Sequence, residues 1–281
     1  MTEISILTAF AHPDDECFGF GGSIAKHAFQ GARVTLLCAT GGEAGEISDP
    51  SLATPENLSQ VREAELRRSS RVLGANNIRM LGYRDSGMVG TPDNFNPACL
   101  HQADAADVVG RIVRIIREVR PQVLLTHDPT GGYGHPDHIA ISAHTTTAFY
   151  DASDPTKYPD QISEGLEPWA PRKLQYSVFP KSRYNWLEKA MLEAGIEPPF
   201  SMEERKSLGV PDDMVTTIVD VSDYANTKLD ALYCHQTQAG TFAFFHHIPN
   251  NILVKFMSEE HFHLVEPTAH GMGTDLLEGL I

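Results

Sequence analysis

Short apolar runs alternate with longer amphipathic ones through the first half of the chain. Ile4-Ser5-Ile6-Leu7-Thr8-Ala9-Phe10 is compact and β-branched in bias, which predicts a buried strand. A helix over residues 23–30 follows, closed by Gly31. The pattern repeats with a strand at Arg33-Val34-Thr35-Leu36-Leu37-Cys38-Ala39 and a helix opened by Pro55, with Thr54 as its cap, ending near Leu73-Gly74. Ile78-Arg79-Met80-Leu81 is a third strand, followed by a loop over residues 82–96 rich in Gly, Pro and Asp. Residues 103–120 carry Val108, Ile112, Ile115, Ile116 and Val119 on one helical stripe. Pro121 stops that helix before a fourth strand, Val123-Leu124-Leu125-Thr126, and another helix spans residues 139–150. Alternation with crossovers of this length implies a parallel sheet covered on both faces. The expected fold is α/β, a Rossmann-like, mostly parallel sheet with an irregular C-terminal extension.

The second half is less periodic. Residues 151–171 are polar and rich in Pro, Asp and Gly, and read as a loop insertion. Leu174-Gln175-Tyr176-Ser177-Val178-Phe179 is a strand and residues 184–194 a helix. Residues 198–213 form a second irregular stretch, expected with residues 151–171 to border a pocket mouth. Met214-Val215-Thr216-Thr217-Ile218-Val219 resumes as a strand and residues 224–234 as a helix, before a last helix-like run and the strand His261-Phe262-His263-Leu264-Val265. The division expected is a core over residues 1–150 and a C-terminal part over 151–281 that completes the sheet, both within one structural domain.

Composition changes this picture mainly by exclusion. Of 281 residues, 41% are hydrophobic and 21% charged, and the formal net charge is -15. Such a charge disfavours nucleic acid and anionic membranes as partners. Cys17, Cys38, Cys99 and Cys234 show no paired spacing, and Met1-Thr2-Glu3 leads directly into a strand, so the expected compartment is the cytoplasm. Cys17 is expected to be a buried, inert thiol. A homo-oligomer is compatible with the sequence, which does not specify one.

Candidate chemistry gathers at two strand ends. Ala11-His12-Pro13-Asp14-Asp15-Glu16 follows the first strand, and Gly131-Gly132-Tyr133-Gly134-His135-Pro136-Asp137-His138 follows the fourth. Both share a His-Pro-Asp core, and both pair a potential ligand with another three residues on: His12 with Asp15, and His135 with His138. That spacing puts two side chains on one side of a turn. Imidazole and carboxylate donors suit zinc, and a three-ligand site with an open position is what hydrolytic metal chemistry requires. Taken alone, the first cluster would equally be a turn whose aspartates cap a helix. On parallel strands the two clusters would converge at the carboxyl edge of the sheet, where ligands bind.

In these residues the sequence resembles the LmbE-like (PIG-L) zinc-dependent N-acetylglucosamine deacetylases. The likeness is carried by Ala11 to Glu16, Thr40-Gly41-Gly42-Glu43, Arg62 with Glu65-Leu66, Leu81 to Met88, and Gly134 to His138, and the block Tyr83 to Met88 is most similar to the branch acting on mycothiol precursors and conjugates. The resemblance implies His12, Asp15 and His138 as metal ligands and Asp14 as general base. It implies His135 as the group that polarises the carbonyl or protonates the amine, Asp137 as its orienter, and Tyr133 near the oxyanion. Arg62, Asp85 and Glu43 match sugar-contact positions, and His235 is a weaker substrate-contact candidate. The ligand set suits Zn2+, with Fe2+ compatible.

The expected function is therefore metal-dependent removal of an N-acetyl or related N-acyl group from a small-molecule amino-sugar conjugate. A metal-dependent phosphoesterase is the alternative enzyme, and a catalytically inactive, zinc-retaining sugar-binding protein the alternative outside enzymes. No Gly-x-Gly-x-x-Gly fingerprint follows the first strand, which disfavours a nicotinamide enzyme.

Overall fold

The computed structural model describes residues 4–198, 209–267 and 272–280. Its strands are β1 (Ser5–Phe10), β2 (Arg33–Thr40), β3 (Asn77–Tyr83), β4 (Val123–His127), β5 (Lys173–Ser177), β6 (Thr217–Asp220) and β7 (Glu259–Glu266). They form one seven-stranded sheet in the order β3-β2-β1-β4-β5-β7-β6. The first five strands are parallel to one another, while β7 runs antiparallel to both β5 and β6.

Packed on the sheet are α1 (Asp15–Gly19), α2 (Gly21–Phe29), α3 (Leu58–Val72), α4 (Ala105–Val119), α5 (Pro136–Asp151), α6 (Lys181–Glu193), α7 (Ala225–Leu232) and α8 (Asn250–Phe256). Both faces are covered, so β1 is buried along its whole length and reads as a continuous apolar run. Its side chains still alternate: Ile6 and Phe10 pack with Ile24, Leu66 and Leu229, whereas Leu7 and Ala9 pack with Ile112, Ile116 and Ile141. No helix among the described residues is long and apolar enough to cross a membrane.

Several local expectations need correction. Helix α3 starts at Leu58, and Thr54 is not its cap; the Asn57 side chain accepts the Thr54 N–H at 2.7 Å and winds the preceding residues into a turn. The first His-Pro-Asp motif runs directly into a short helix, α1, and α5 starts at Pro136, so His138 lies in its first turn. Residues 151–171 contain a helical turn, Pro159–Ser163. The buried Arg117 pins that stretch by donating to the carbonyls of Ala152, Asp154, Lys157 and Tyr158. Strand β6 occupies Thr217–Asp220, with Met214 in a preceding 3-10 turn. Within the second irregular stretch, residues 199–208 lie outside the described residues.

A buried ion pair ties the C-terminal strands to the N-terminal helices. Glu260 on β7 accepts the Gly22 and Ser23 N–H groups at the start of α2 (2.8 and 2.7 Å) and pairs with Lys228 on α7 at 2.6 Å. Its charge complements the positive end of the helix dipole as well as the ammonium. Removing that charge would leave Lys228 buried without its partner. We expect Glu260→Gln to cost roughly 3–5 kcal/mol in urea unfolding, and a second change, Lys228→Met, to recover much of the loss.

Candidate metal centre and active site

The two motif clusters meet because β1 and β4 are direct neighbours, registered from Ile6 opposite Val123 to Ala9 opposite Thr126. After Phe10 the chain turns through His12 into α1. Asp15 clasps this turn, its Oδ2 accepting the N–H groups of Ala11 and His12 at 3.2 and 2.8 Å. After His127 the chain turns through Gly131, whose φ is +68°; a Cβ there would meet the His138 Cβ at 2.9 Å. Glycine therefore lets α5 start close enough to bring His138 to the first loop.

Three donors converge at this edge. His12 Nδ1 lies 3.2 Å from His138 Nε2 and 3.6 Å from Asp15 Oδ2, and His138 Nε2 lies 3.3 Å from Asp15 Oδ1. Tetrahedral zinc with bonds near 2.1 Å separates its ligand atoms by about 3.4 Å. The donor types and the spacing thus fit a metal ion. The far nitrogen of His12, Nε2, meets Asp137 Oδ2 at 3.2 Å, the carboxylate-to-imidazole contact that orients metal-binding histidines. Asp137 is in turn held by the Ser86 N–H at 2.8 Å and by the Ser86 hydroxyl. The contact differs from the expected one with His135, which instead caps α5 by accepting the Asp137 N–H through Nδ1.

Asp14 stands beside these donors in a conformation rare for a residue with a side chain, φ 119° and ψ -28°. Such backbone costs of order 1–3 kcal/mol and persists only where its surroundings impose it. Here the Asp14 N–H donates to Glu16 Oε2 at 2.9 Å, while Arg62 Nη2 reaches both Asp14 Oδ2 at 3.1 Å and the Pro13 carbonyl at 2.7 Å. Arg62 also donates to the Gly42 carbonyl at 2.9 Å, across a glycine whose Cβ would collide with the guanidinium. Glu16 is itself anchored, accepting from Ser69 at 2.5 Å and from His235 at 2.7 Å. Cys17 is buried beside it, its thiol pKa pushed well above the ordinary value by burial and by Glu16. His235 therefore lies behind the site, fully buried against Glu16, and its expected contact with substrate is corrected to a contact with this support.

The electrostatics separate the two adjacent aspartates. Burial alone would raise the Asp15 pKa, but the imidazoles of His138, His12 and His127 hold it well below the ordinary range. Asp14 is raised to about 6, chiefly by burial and by the charges of Asp15 and Glu16, against the opposing Arg62. Burial disfavours charge on His12, yet Asp85, Asp137 and Asp15 keep its pKa well above the usual value. His135 is lowered to about 4 by burial, with His12 and His138 adding to the effect.

The remaining sequence candidates flank this cluster. Asp85 Oδ1 lies 3.4 Å from His12 Nε2 and 3.9 Å from His135 Nε2, and Glu43 Oε2 accepts the Asp85 N–H at 2.9 Å. Tyr133 is exposed, its ring 5.0 Å from that of His138 and 6.1 Å from that of His135. Residues missed in the sequence include Glu16, described above, and His127, the last residue of β4. The His127 ring stacks on His138 at 4.1 Å, and its Nε2 is 3.5 Å from Asp15 Oδ2. A histidine ending a parallel strand next to a motif loop was the available signal. Beside the cluster opens a cavity of about 400 Å³, with Asp14, Asp15, His127, Tyr133 and His138 on its wall. Gly209 and Val210 of the second irregular stretch reach it, whereas residues 151–171 do not line it.

Residues 7–149 match the GlcNAc-PI de-N-acetylase (PIG-L) family profile. The 1D-myo-inositol 2-acetamido-2-deoxy-alpha-D-glucopyranoside deacetylase of Thermobifida fusca (strain YX) is 38% identical over 98% of this chain and 97% of its own. Among solved structures, N,N'-diacetylchitobiose deacetylase from Pyrococcus horikoshii superposes with a TM-score of 0.65 at 22% identity, covering 94% of this chain and 84% of that one. GalB, the 4-carboxy-2-hydroxymuconate hydratase of Pseudomonas putida KT2440, superposes with a TM-score of 0.62 at 19% identity, over 95% and 98% of the two chains. Likeness to these two structures describes the framework only, and one framework carries both a deacetylase and a hydratase.

If the spacing of the three donors reflects a metal site, its outer support matters as well. We expect alanine at His12, Asp15 or His138 to abolish stoichiometric metal in elemental analysis. Asp137→Asn should retain metal but weaken its affinity by about 10- to 100-fold in chelator competition.

Proposed function

The chain belongs to the GlcNAc-PI de-N-acetylase (PIG-L) family, and from that premise we propose that it is a metal-dependent hydrolase removing the N-acetyl group from an N-acetylglucosamine conjugate with an inositol-type aglycone. The observation carrying this reading is the convergence of His12 Nδ1, Asp15 and His138 Nε2, with Asp14 and His135 beside them. His12, Asp15 and His138 would hold the metal, for which zinc is the first choice and iron(II) the second. A metal ion held there would polarise an amide carbonyl and acidify water.

Asp14 accepts the proton of the attacking water. Its pKa of about 6 suits the task, because it is ionised at neutral pH yet basic enough to take a proton. His135, held near 4, is uncharged at that pH and offers a hydrogen bond to the carbonyl oxygen. The proton that Asp14 took from the water passes to the departing amine, while His135, its Nδ1 occupied by the Asp137 N–H, keeps its Nε2–H on the oxygen as negative charge grows there. Tyr133, on a turn flanked by Gly132 and Gly134 with φ of 72° and 84°, adds a phenol donor near the same oxygen. Asp137 keeps His12 in register. Asp85 and Glu43 supply acceptors for sugar hydroxyls, while Arg62 serves the base through its bond to Asp14. A protein that only bound sugar would need neither Asp14 nor His135, which weighs against the inactive alternative.

Amine release from N-acetylglucosaminyl-inositol, with and without chelator, tests the reading; no chelator-sensitive release from this or related conjugates would refute it. Asp14→Asn keeps the side-chain shape and removes the basic carboxylate. It should retain metal and lose roughly two to four orders of magnitude in kcat. Full activity in the metal-bound variant would move the general base elsewhere.

A further inference from the structure

The metal cluster has two unlike sides. His12 presents Nδ1 to Asp15 and His138, and its opposite nitrogen to Asp137 and Asp85. His135, Asp85 and Glu43 stand on that second, polar side. The cavity of about 400 Å³ opens on the first, and neither Glu43 nor Asp85 lines it. Its outer wall is apolar, built from Phe18, Phe179, Leu187, Phe242, Phe245 and Phe256. Phe18 holds this wall together, with ring centres 5.1 Å from Phe242 and 6.2 Å from Phe245. The Ser177 hydroxyl on the same wall is already bonded to the Gly19 carbonyl at 3.2 Å. Such a surface offers little to sugar hydroxyls and much to hydrocarbon.

Resting on the hydrolase reading above, we infer that this cavity is an acyl subsite and that the protein takes, besides N-acetyl, amino sugars whose N-acyl group is a longer apolar chain. An amide carbonyl at the cluster carries two substituents. With the sugar at Asp85 and Glu43 and the amine beside His135, the other substituent leaves toward His138, Tyr133 and the cavity. An acetyl methyl would reach only the mouth, whereas a chain of six to eight carbons would run along the phenylalanines. The reaction is otherwise the same: water adds OH to the acyl carbon and H to the nitrogen, the C–N bond breaks, and a carboxylate and a free amine result.

The test compares methyl glucosaminides bearing N-acetyl, N-hexanoyl and N-octanoyl groups, together with the octyl glycoside of N-acetylglucosamine. On metal-loaded protein, kcat/KM for amine release should rise about fourfold per methylene until the cavity is filled. Calorimetry on chelator-treated protein should show the same trend in affinity without turnover. Phe245→Asp should lower the octanoyl-to-acetyl ratio at least tenfold, and Phe179→Ser, at a half-buried position, makes the same comparison should the first variant not fold. A ratio that is flat or favours acetyl would overturn the proposal, as would a gain shown by the octyl glycoside in place of the N-octanoyl compound. Tighter N-octanoyl binding without amine release from any compound would uphold the subsite and overturn the hydrolase reading.

Discussion

Strand β1 is hydrogen-bonded to β4 along one side and to β2 along the other, and the active edge depends on that placement. Parallel pairing brings both carboxyl ends to the same edge, and the register from Ile6–Val123 to Ala9–Thr126 puts the two following loops at the same height. His12 and His138 are 126 residues apart in sequence, and their nitrogens come within 3.2 Å. A slip of one residue between these strands would exchange the faces of β1, placing Leu7 and Ala9 where Ile6 and Phe10 now pack. Core packing on both faces opposes that slip, so the same burial that stabilises the sheet also fixes the donor geometry.

Around this fixed edge, Asp14, the proposed general base, is the strained element. Asp14 keeps its unusual backbone because charged and polar groups grip it from two directions, Glu16 at its N–H and Arg62 at its carboxylate. Neither gripping group is local in its support. Glu16 leans on Ser69 of α3 and on His235 after α7, and nearby Glu65 accepts from the N–H and hydroxyl of Thr237. Through His235 and Thr237 the C-terminal half therefore takes part in positioning a residue of the first loop. That arrangement places the likeness at His235-Gln236-Thr237-Gln238 in structural support.

Burial also divides the labour of two neighbouring carboxylates. Asp15 is surrounded by imidazoles and stays strongly acidic. Asp14, one residue on the other side of the turn, faces Asp15 and Glu16 charges in a desolvated spot and rises to about 6. Environment thus shifts the pair in opposite directions, although the two side chains are chemically identical, and the proposed division into a ligand and a base rests on that difference. The same edge is polar toward Asp85 and aromatic toward Phe18 and Phe245, the asymmetry on which the proposed acyl subsite rests.

The sequence by itself determined the α/β class, the alternation of the first four strands with their helices, and the three metal-donor candidates. Those features are local: buried strands are continuous apolar runs, and a three-residue spacing places His12 with Asp15 whatever lies beyond the turn. Only the tertiary structure decided what long-range packing creates. Arg62 sits on a helix whose sequence reads as a charged surface, yet it is buried at the base, because a glycine at position 42 leaves room for its guanidinium. Asp137 turned out to serve His12, since the β1–β4 pairing brings a residue 125 positions away closer than its own neighbour's side chain. Glu16 and His235, 219 residues apart, carry no shared pattern, and the aromatic cavity draws its walls from α1, from the end of β5 and the residues after it, from α6, and from residues 242–256. No local periodicity encodes such meetings; they follow from which faces the sheet buries and from the path of the chain between them.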